Sequence, residues 1–138
     1  MKLLDTNVVM YAIGGPHQYK EACQRLLQDV AAGNTTYNID VELLQEILYV
    51  YSYRGERRHA LEVVDLLLRV FPDPLPIGRE ELIAARNVLE RHPNLSPRDA
   101  IHLGVALTHG LEGIVTTDRS MSQSREVNFF EPGQVYPE

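Results

Sequence analysis

The chain begins Met1-Lys2-Leu3-Leu4-Asp5-Thr6-Asn7, and this stretch decides how the rest of the sequence is interpreted. Leu3 and Leu4 predict a short buried strand that ends in polar turn residues, and the apolar run from Val8 to Ile13 then predicts a short helix. In an open α/β sheet, ligands bind in the crevice at the carboxyl ends of the strands. Asp5 follows the strand directly, so its carboxylate is a candidate site residue.

Apolar strands and amphipathic helices alternate along the rest of the chain. Strands are predicted at 35–39, 75–77, 113–117 and 127–130, and helices at about 22–33, 41–53, 56–70, 79–91 and 96–109, before a Pro/Gly-rich tail. Short strands separated by helices imply a parallel sheet with helices on both faces. We therefore expect a single domain over residues 1–138, an α/β protein built as a three-layer α/β/α sandwich around a central, mostly parallel sheet.

The composition is that of a soluble globular protein, with 44% apolar and 23% charged residues. We see neither an apolar run long enough to cross a membrane nor a secretory signal, so we expect a cytoplasmic protein with no membrane partner. The single cysteine, Cys23, excludes an internal disulfide and a multi-thiolate zinc site, and we expect it in the core. The net charge of −6 argues against a general nucleic-acid coat.

Two aspartates follow predicted strands directly and would lie at the same edge of the sheet. They are Asp5 and Asp118, the latter after the strand Gly113 to Thr117. Aspartate also ends strands as a turn former and helix cap, so either residue alone has an ordinary structural explanation. Together they indicate a candidate site at the carboxyl ends of the strands.

Two further carboxylates lie on predicted helices that could reach this edge. Asp99 is in the first turn of the helix opened by Ser96-Pro97, where a capping role alone could explain it. Glu46 lies in the middle of the helix 41–53, where it could be one acid of a solvent-exposed face, and Glu42, one turn earlier, is its rival. If both helices face the crevice, four carboxylates converge there.

Four carboxylates in one pocket repel each other strongly. Two unit charges about 5 Å apart at an effective dielectric of roughly 20 repel by approximately 3 kcal/mol. Either some carboxyls take up protons with raised pKa values, or divalent cations bind between them. Ligation by oxygen alone favours Mg²⁺ or Mn²⁺ over zinc. Such a site can polarise a phosphodiester and lower the pKa of a bound water.

Polar residues beside these acids could hold them in place. Thr6, Asn7 and Thr116 could donate hydrogen bonds to the carboxylates or to bound water, although ordinary turn chemistry is the alternative. His102 lies one turn after Asp99; it could face the site, and a buried, hydrogen-bonded histidine is the expectation we favour.

Four segments, taken in order, resemble a PIN-domain ribonuclease, and the nearest type is the VapC toxin of bacterial and archaeal toxin–antitoxin pairs. They are Met1 to Asn7, Leu44-Gln45-Glu46-Ile47-Leu48, Leu95-Ser96-Pro97-Arg98-Asp99-Ala100-Ile101-His102, and Ile114-Val115-Thr116-Thr117-Asp118-Arg119. Each motif is weak alone, but four at these spacings are specific, and they cover essentially the whole chain. One departure is Met121, where an aromatic residue commonly follows the last aspartate.

The resemblance implies a metal-dependent endoribonuclease. Asp5, Glu46, Asp99 and Asp118 would be the acidic quartet that binds Mg²⁺ or Mn²⁺, and Thr6, Asn7 and Thr116 would support them. It further implies an RNA substrate, a homodimer, and a small cognate antitoxin protein whose tail enters the acidic groove. The candidates for contacting RNA are Arg54, Arg57, Arg58, Arg98 and Arg119, although for each of them alone a solvated surface charge is the interpretation we favour.

Three other classes are weighed against this function. A catalytically silent module of the same fold would use the groove for a protein partner. A phosphorylated receiver domain also clusters aspartates, but it needs a lysine near the last strands, and no lysine follows Lys20. A haloacid-dehalogenase-like phosphatase needs a second aspartate two residues after Asp5, where Asn7 stands instead.

Overall fold

The computed structural model describes residues 1–135, and the last residues of the predicted Pro/Gly-rich tail, 136–138, lie outside the described residues. Four strands form one sheet: β1 (Lys2–Leu4), β2 (Tyr37–Asn38), β3 (Gly113–Val115) and β4 (Phe129–Phe130). The order across the sheet is β2-β1-β3-β4, and every neighbouring pair is parallel. The carboxyl ends of all four strands therefore meet at one edge.

Helices connect these strands and cover both faces of the sheet. They are α1 (Thr6–Ile13), α2 (Lys20–Ala31), α3 (Val41–Tyr53), α4 (Arg57–Val70), α5 (Arg79–Arg91), α6 (Pro97–Thr108), α7 (Arg119–Ser122) and α8 (Pro132–Val135). Among residues 1–135, none of these helices has both the length and the apolar character needed to span a membrane.

Alternation along the strands sends successive side chains into two separate cores. Leu4 of β1 and Val115 of β3 are buried with the apolar faces of α1 to α4, and this core includes Cys23, as expected. Leu3 and Ile114, which precede them, are buried on the opposite face with α5 and α6. These two cores establish the three-layer α/β/α arrangement and confirm the predicted fold class.

The predicted strand at 75–77 is wrong. Leu75 makes only an isolated parallel bridge to Asp40: its N–H donates to Ile39 O at 2.9 Å and its carbonyl accepts from Val41 N at 3.1 Å. The ladder ends there because the Ile39 N–H donates to Asn38 Oδ1 at 2.8 Å and the chain turns into α3 at Val41, so neither residue can pair further along the segment that contains Leu75. The strand at Leu3 and Leu4 is present as predicted, and those at 35–39, 113–117 and 127–130 are present but shorter.

Candidate active site at the carboxyl edge of the sheet

Asp5 lies at the junction of β1 and α1 and is held from three directions. Its N–H donates to Val115 O of β3 at 3.0 Å, which fixes it at the sheet edge. Its Oδ1 accepts from the Thr6 N–H at 2.7 Å, and its Oδ2 accepts from the Thr116 hydroxyl at 2.7 Å. The side chain is buried, and this burial raises the pKa of the carboxyl.

Thr116 links the first and last aspartates of the candidate site. Besides donating to Asp5, its hydroxyl accepts from the Asp118 N–H at 3.0 Å and from Asn7 Nδ2 at 3.4 Å. Asn7 Oδ1 is buried and has no hydrogen-bond partner within the described residues 1–135. The structure thus brings the three polar residues of the motifs, Thr6, Asn7 and Thr116, to the same edge as Asp5.

Asp118 follows β3 after two residues and caps the short helix α7. Its Oδ1 accepts from the backbone N–H groups of Ser120 at 2.8 Å and Met121 at 3.3 Å. Met121 itself is fully buried in the core that Leu3 and Ile114 form with α5 and α6. The methionine that stands where the family commonly has an aromatic residue therefore contributes to core packing. The capping role of Asp118 and its position at the sheet edge are therefore compatible.

Asp99 is brought to the same place by the start of α6. Ser96 is the N-cap, and its Oγ accepts from the Asp99 N–H at 3.2 Å, with Pro97 in the first turn. The pKa of the Asp99 carboxyl is raised to about 6 by burial, and then by the nearby carboxylates of Asp5 and Asp118. The three aspartates therefore lie within electrostatic range of one another.

Glu46 approaches these aspartates from α3. It is one of the groups that raise the pKa of Asp5, behind burial, and one of its oxygens, Oε1, lies 3.4 Å from Arg98 Nε. The rival Glu42 also has a raised pKa, chiefly because of burial. The interaction of Glu46 with Asp5 favours Glu46 as the fourth carboxylate.

A buried histidine lies behind Asp5. His102 is fully buried, as expected; its Nδ1 lies 2.6 Å from Asp40 Oδ2, and its Nε2 lies 3.6 Å from Asp5 Oδ1 and 3.4 Å from Thr6 Oγ1. Although burial lowers the pKa of His102, Asp40 and then Asp5 raise it to about 10. His102 is therefore a cation between two aspartates, so it is both buried and directed at the site.

Asp40 is not among the site residues that the sequence predicts. It caps α3, since its Oδ1 accepts from the Leu43 N–H at 2.9 Å, and its other carboxylate oxygen pairs with His102. The position of Asp40 could have been predicted, because it comes shortly after β2 just as Asp5 follows β1, and the same rule of strand ends places it at this edge.

The donor set fits a hard divalent cation. Its oxygens come from carboxylates, and burial followed by the neighbouring Asp5 and Asp118 raises the pKa of Asp99. Asn7, whose Oδ1 has no hydrogen-bond partner among residues 1–135, belongs to the same edge of the sheet. Within residues 1–135, no three His, Cys, Asp or Glu side chains form a group that could hold a metal ion in the conformation described. Two of the acids are turned to other partners: Asp118 Oδ1 to the start of α7 and Glu46 to Arg98.

Fold and site define an α/β protein with acidic residues gathered at the carboxyl edge of a parallel sheet, and comparison with known proteins gives its family. The sequence model of the PIN domain matches residues 2–126. Ribonuclease VapC13 of Mycobacterium tuberculosis is 35% identical over 119 residues, which cover 86% of this chain and 91% of that protein. Ribonuclease VapC23 of the same species is 29% identical over 124 residues, covering 90% and 98%.

A solved structure shares the fold. The crystal structure of FitAcB from Neisseria gonorrhoeae superposes with a TM-score of 0.71 at 19% identity, covering 96% of this chain and 98% of that one. At this identity the likeness shows the fold alone. The chain belongs to the PIN-domain family, and its similarity to the two mycobacterial proteins confirms the predicted VapC type.

Proposed function

We propose that this protein is an endoribonuclease that depends on Mg²⁺ or Mn²⁺ and acts as the toxin of a toxin–antitoxin pair. The single observation that carries the proposal is the gathering of Asp5, Asp99 and Asp118 at the carboxyl edge of the sheet, where the Thr116 hydroxyl donates to Asp5 and accepts from the Asp118 N–H. Burial and then these two neighbouring carboxylates raise the pKa of Asp99 to about 6. Carboxylates that repel each other at a sheet edge are stabilised by a bound cation. The similarity to proteins named VapC ribonucleases supports RNA as the substrate.

In the proposed mechanism, Asp5, Asp99, Asp118 and Glu46 would hold the cation. A divalent cation bound by them would polarise the phosphodiester and lower the pKa of a bound water. The Thr116 hydroxyl fixes the positions of Asp5 and Asp118 relative to each other, because it donates to the Asp5 carboxylate and accepts from the Asp118 N–H. Asn7 supports the same cluster through Thr116.

Glu46 orients the attacking water and accepts its proton. Arg98, 3.4 Å from Glu46, restricts where that carboxylate can point. The water oxygen forms a bond to phosphorus as the bond from phosphorus to the 3′ oxygen breaks. The leaving oxygen takes up a proton, so the products carry a 5′-phosphate and a 3′-hydroxyl.

Cleavage of a mixed RNA pool by the purified protein tests this function. We expect cutting with Mg²⁺ or Mn²⁺, none with EDTA, and a loss of at least a hundredfold in Asp5→Asn. The matched control is Asp65→Asn, which removes an exposed aspartate on α4 and should leave cleavage unchanged. Metal binding without cleavage of structured or unstructured RNA would instead favour a catalytically silent PIN-fold module that binds a protein partner.

The biological setting follows from the same proposal. We propose one functional domain over the chain, a cytoplasmic location, a homodimer, and a small cognate antitoxin that occupies the acidic groove. Expression of the wild type should arrest growth, and expression of Asp5→Asn at the same level should not. Arrest by both proteins would contradict a toxin that acts through this site.

A further inference from the structure

The outward face of α3 carries two large aromatic rings beside the candidate site. Tyr49 is 56% exposed and Tyr53 is 83% exposed. Their ring centroids are 6.2 Å apart and the planes meet at 18°, so the rings are stacked. Two stacked, solvent-facing tyrosines offer flat apolar surfaces that the fold itself does not use for burial.

This aromatic pair continues directly from the acidic cluster. Glu42, Glu46, Tyr49 and Tyr53 follow one another at helical spacings of four, three and four residues, so they form one stripe along α3. Arg98 joins the two halves of the stripe: its Nε lies 3.4 Å from Glu46 Oε1, and its guanidinium carbon lies 5.9 Å from the Tyr49 ring centroid. A surface cavity of about 330 Å³ lies between them, lined by Glu42, Gln45, Tyr49 and Arg98.

Cations lie at the far end of the stripe as well. Arg54 follows Tyr53 at the end of α3, and exposed Arg57 and Arg58 begin α4. Arg54 approaches the Tyr51 ring, with its guanidinium carbon 5.6 Å from the centroid. Arginines therefore lie at both ends of the exposed aromatic pair in a chain of net charge −6, and guanidinium groups are suited to contacts with phosphates. Two of them have acidic partners, because Arg98 pairs with Glu46 and Arg58 pairs with Glu62.

We propose that Tyr49 and Tyr53 form a stacking platform for the bases of single-stranded RNA next to the cleaved phosphate, with Arg98 and the arginines after Tyr53 contacting the backbone. The inference rests on the proposed ribonuclease function and assigns its substrate a path along α3. Exposed aromatic faces interleaved with arginines are typical of sequence-tolerant single-strand binding. A protein-docking face would instead be expected to be apolar around the rings, whereas charged residues flank this pair on both sides.

Binding of a short fluorescein-labelled single-stranded RNA of random sequence tests the platform. The measurement is made by fluorescence anisotropy in the Asp5→Asn protein with EDTA, so that cleavage does not interfere. In this Asp5→Asn background, a second substitution Tyr49→Leu or Tyr53→Leu should weaken RNA binding about tenfold, because one stacking surface is lost. Tyr49→Phe or Tyr53→Phe keeps the aromatic ring, so these variants should bind RNA with the affinity of the Asp5→Asn parent. Leu82→Ala, at an exposed apolar residue on α5, is the control for a surface change away from the rings.

Stacking also has a spectroscopic signature. The chain has no tryptophan, so tyrosine emission is observed directly, and RNA should quench it less in the Tyr53→Leu protein. Equal affinity of the Leu and Phe variants for the RNA would overturn the inference. A second result would also overturn it: the Leu variants change their oligomeric state in sedimentation experiments while their affinity for RNA stays unchanged. The face would then be an interface between proteins.

Failure of the platform and failure of the proposed function are distinguishable. If the wild type cleaves RNA and the Leu variants bind RNA like their parent, the function stands and the platform is wrong. If ring-dependent RNA binding is found but no metal-dependent cleavage, the platform stands and the nuclease activity is wrong.

Discussion

The burial of Asp99 beside Asp5 and Asp118 makes the stability of the metal-free protein depend on pH in a defined direction. The pKa of Asp99 rises from 3.8 in the unfolded chain to about 6 in the fold. Between these values the folded state holds more protons than the unfolded state, so the free energy of unfolding falls as the pH rises. The loss is absent below pH 3.8 and complete above about pH 6.

The size of this loss follows from the same values. A rise from 3.8 to about 6 is equivalent to about 3 kcal/mol for a fully shielded carboxyl. Asp99 is only half-buried and lies at the positive N-terminus of α6, so solvent screening and the helix dipole reduce the effect to about 1–2 kcal/mol. Asp99→Asn keeps the Ser96 cap, because that bond uses the backbone N–H of residue 99.

Urea unfolding followed by circular dichroism, in EDTA at several pH values, measures this effect. Relative to the wild type, Asp99→Asn should gain about 1–2 kcal/mol as the pH rises from 3.8 to above 6. Asp65→Asn, at an exposed position on α4, should follow the wild-type profile. Parallel pH profiles for the wild type and Asp99→Asn would refute the inferred crowding of the three aspartates.

Three further predictions concern neighbouring parts of the structure. Thr116→Val removes the hydroxyl that donates to Asp5 and should weaken Mn²⁺ binding by about 10- to 100-fold in calorimetric titration, whereas Thr116→Ser should retain it. Gly104→Ala places a Cβ 2.4 Å from Glu81 O, so α5 and α6 must separate. We expect the free energy of unfolding in urea to fall by about 1–3 kcal/mol. A variant as stable as the wild type would contradict the close packing of these two helices. The pKa of His102 is raised from 6.5 to about 10 in the folded protein. Its ion pairs therefore stabilise the fold fully below pH 6.5, and this stabilisation is lost as the pH rises toward 10. In urea unfolding, His102→Gln should abolish this decrease in the free energy of unfolding at alkaline pH.

Local signals were sufficient to predict most of the fold. The helices at 41–53 and 79–91 have the predicted bounds, because Asp40 caps one and Gly78 begins the other with the Glu81 side chain accepting from its N–H. Leu3 and Leu4, followed by the polar turn residues Asp5 to Asn7, were enough to predict a strand. The strand at 75–77 was wrong because an apolar pattern does not show that the segment it would pair with turns into α3 at Val41, directly after Asp40, the residue bridged to Leu75.

The candidate site was predictable where its residues follow strands or cap helices. Asp5, Asp99 and Asp118 could be proposed for that reason, and the choice of Glu46 over Glu42 came from the family resemblance. The pairing of Asp40 with His102 joins residues 62 positions apart, so no local pattern indicates it. The four-residue helix α7 was also missed, because it is too short to show periodicity.

The central claim is that the carboxylates of the sheet edge form one cation centre, and Mn²⁺ titration followed by electron paramagnetic resonance tests it most directly. Binding by the wild type should weaken as the pH falls below about 6, because protons compete for Asp99. Asp5→Asn and Asp99→Asn should each weaken it by about tenfold or more, and Asp65→Asn should bind like the wild type. Equal Mn²⁺ affinity in all four proteins, or no Mn²⁺ binding by the wild type, would contradict the claim.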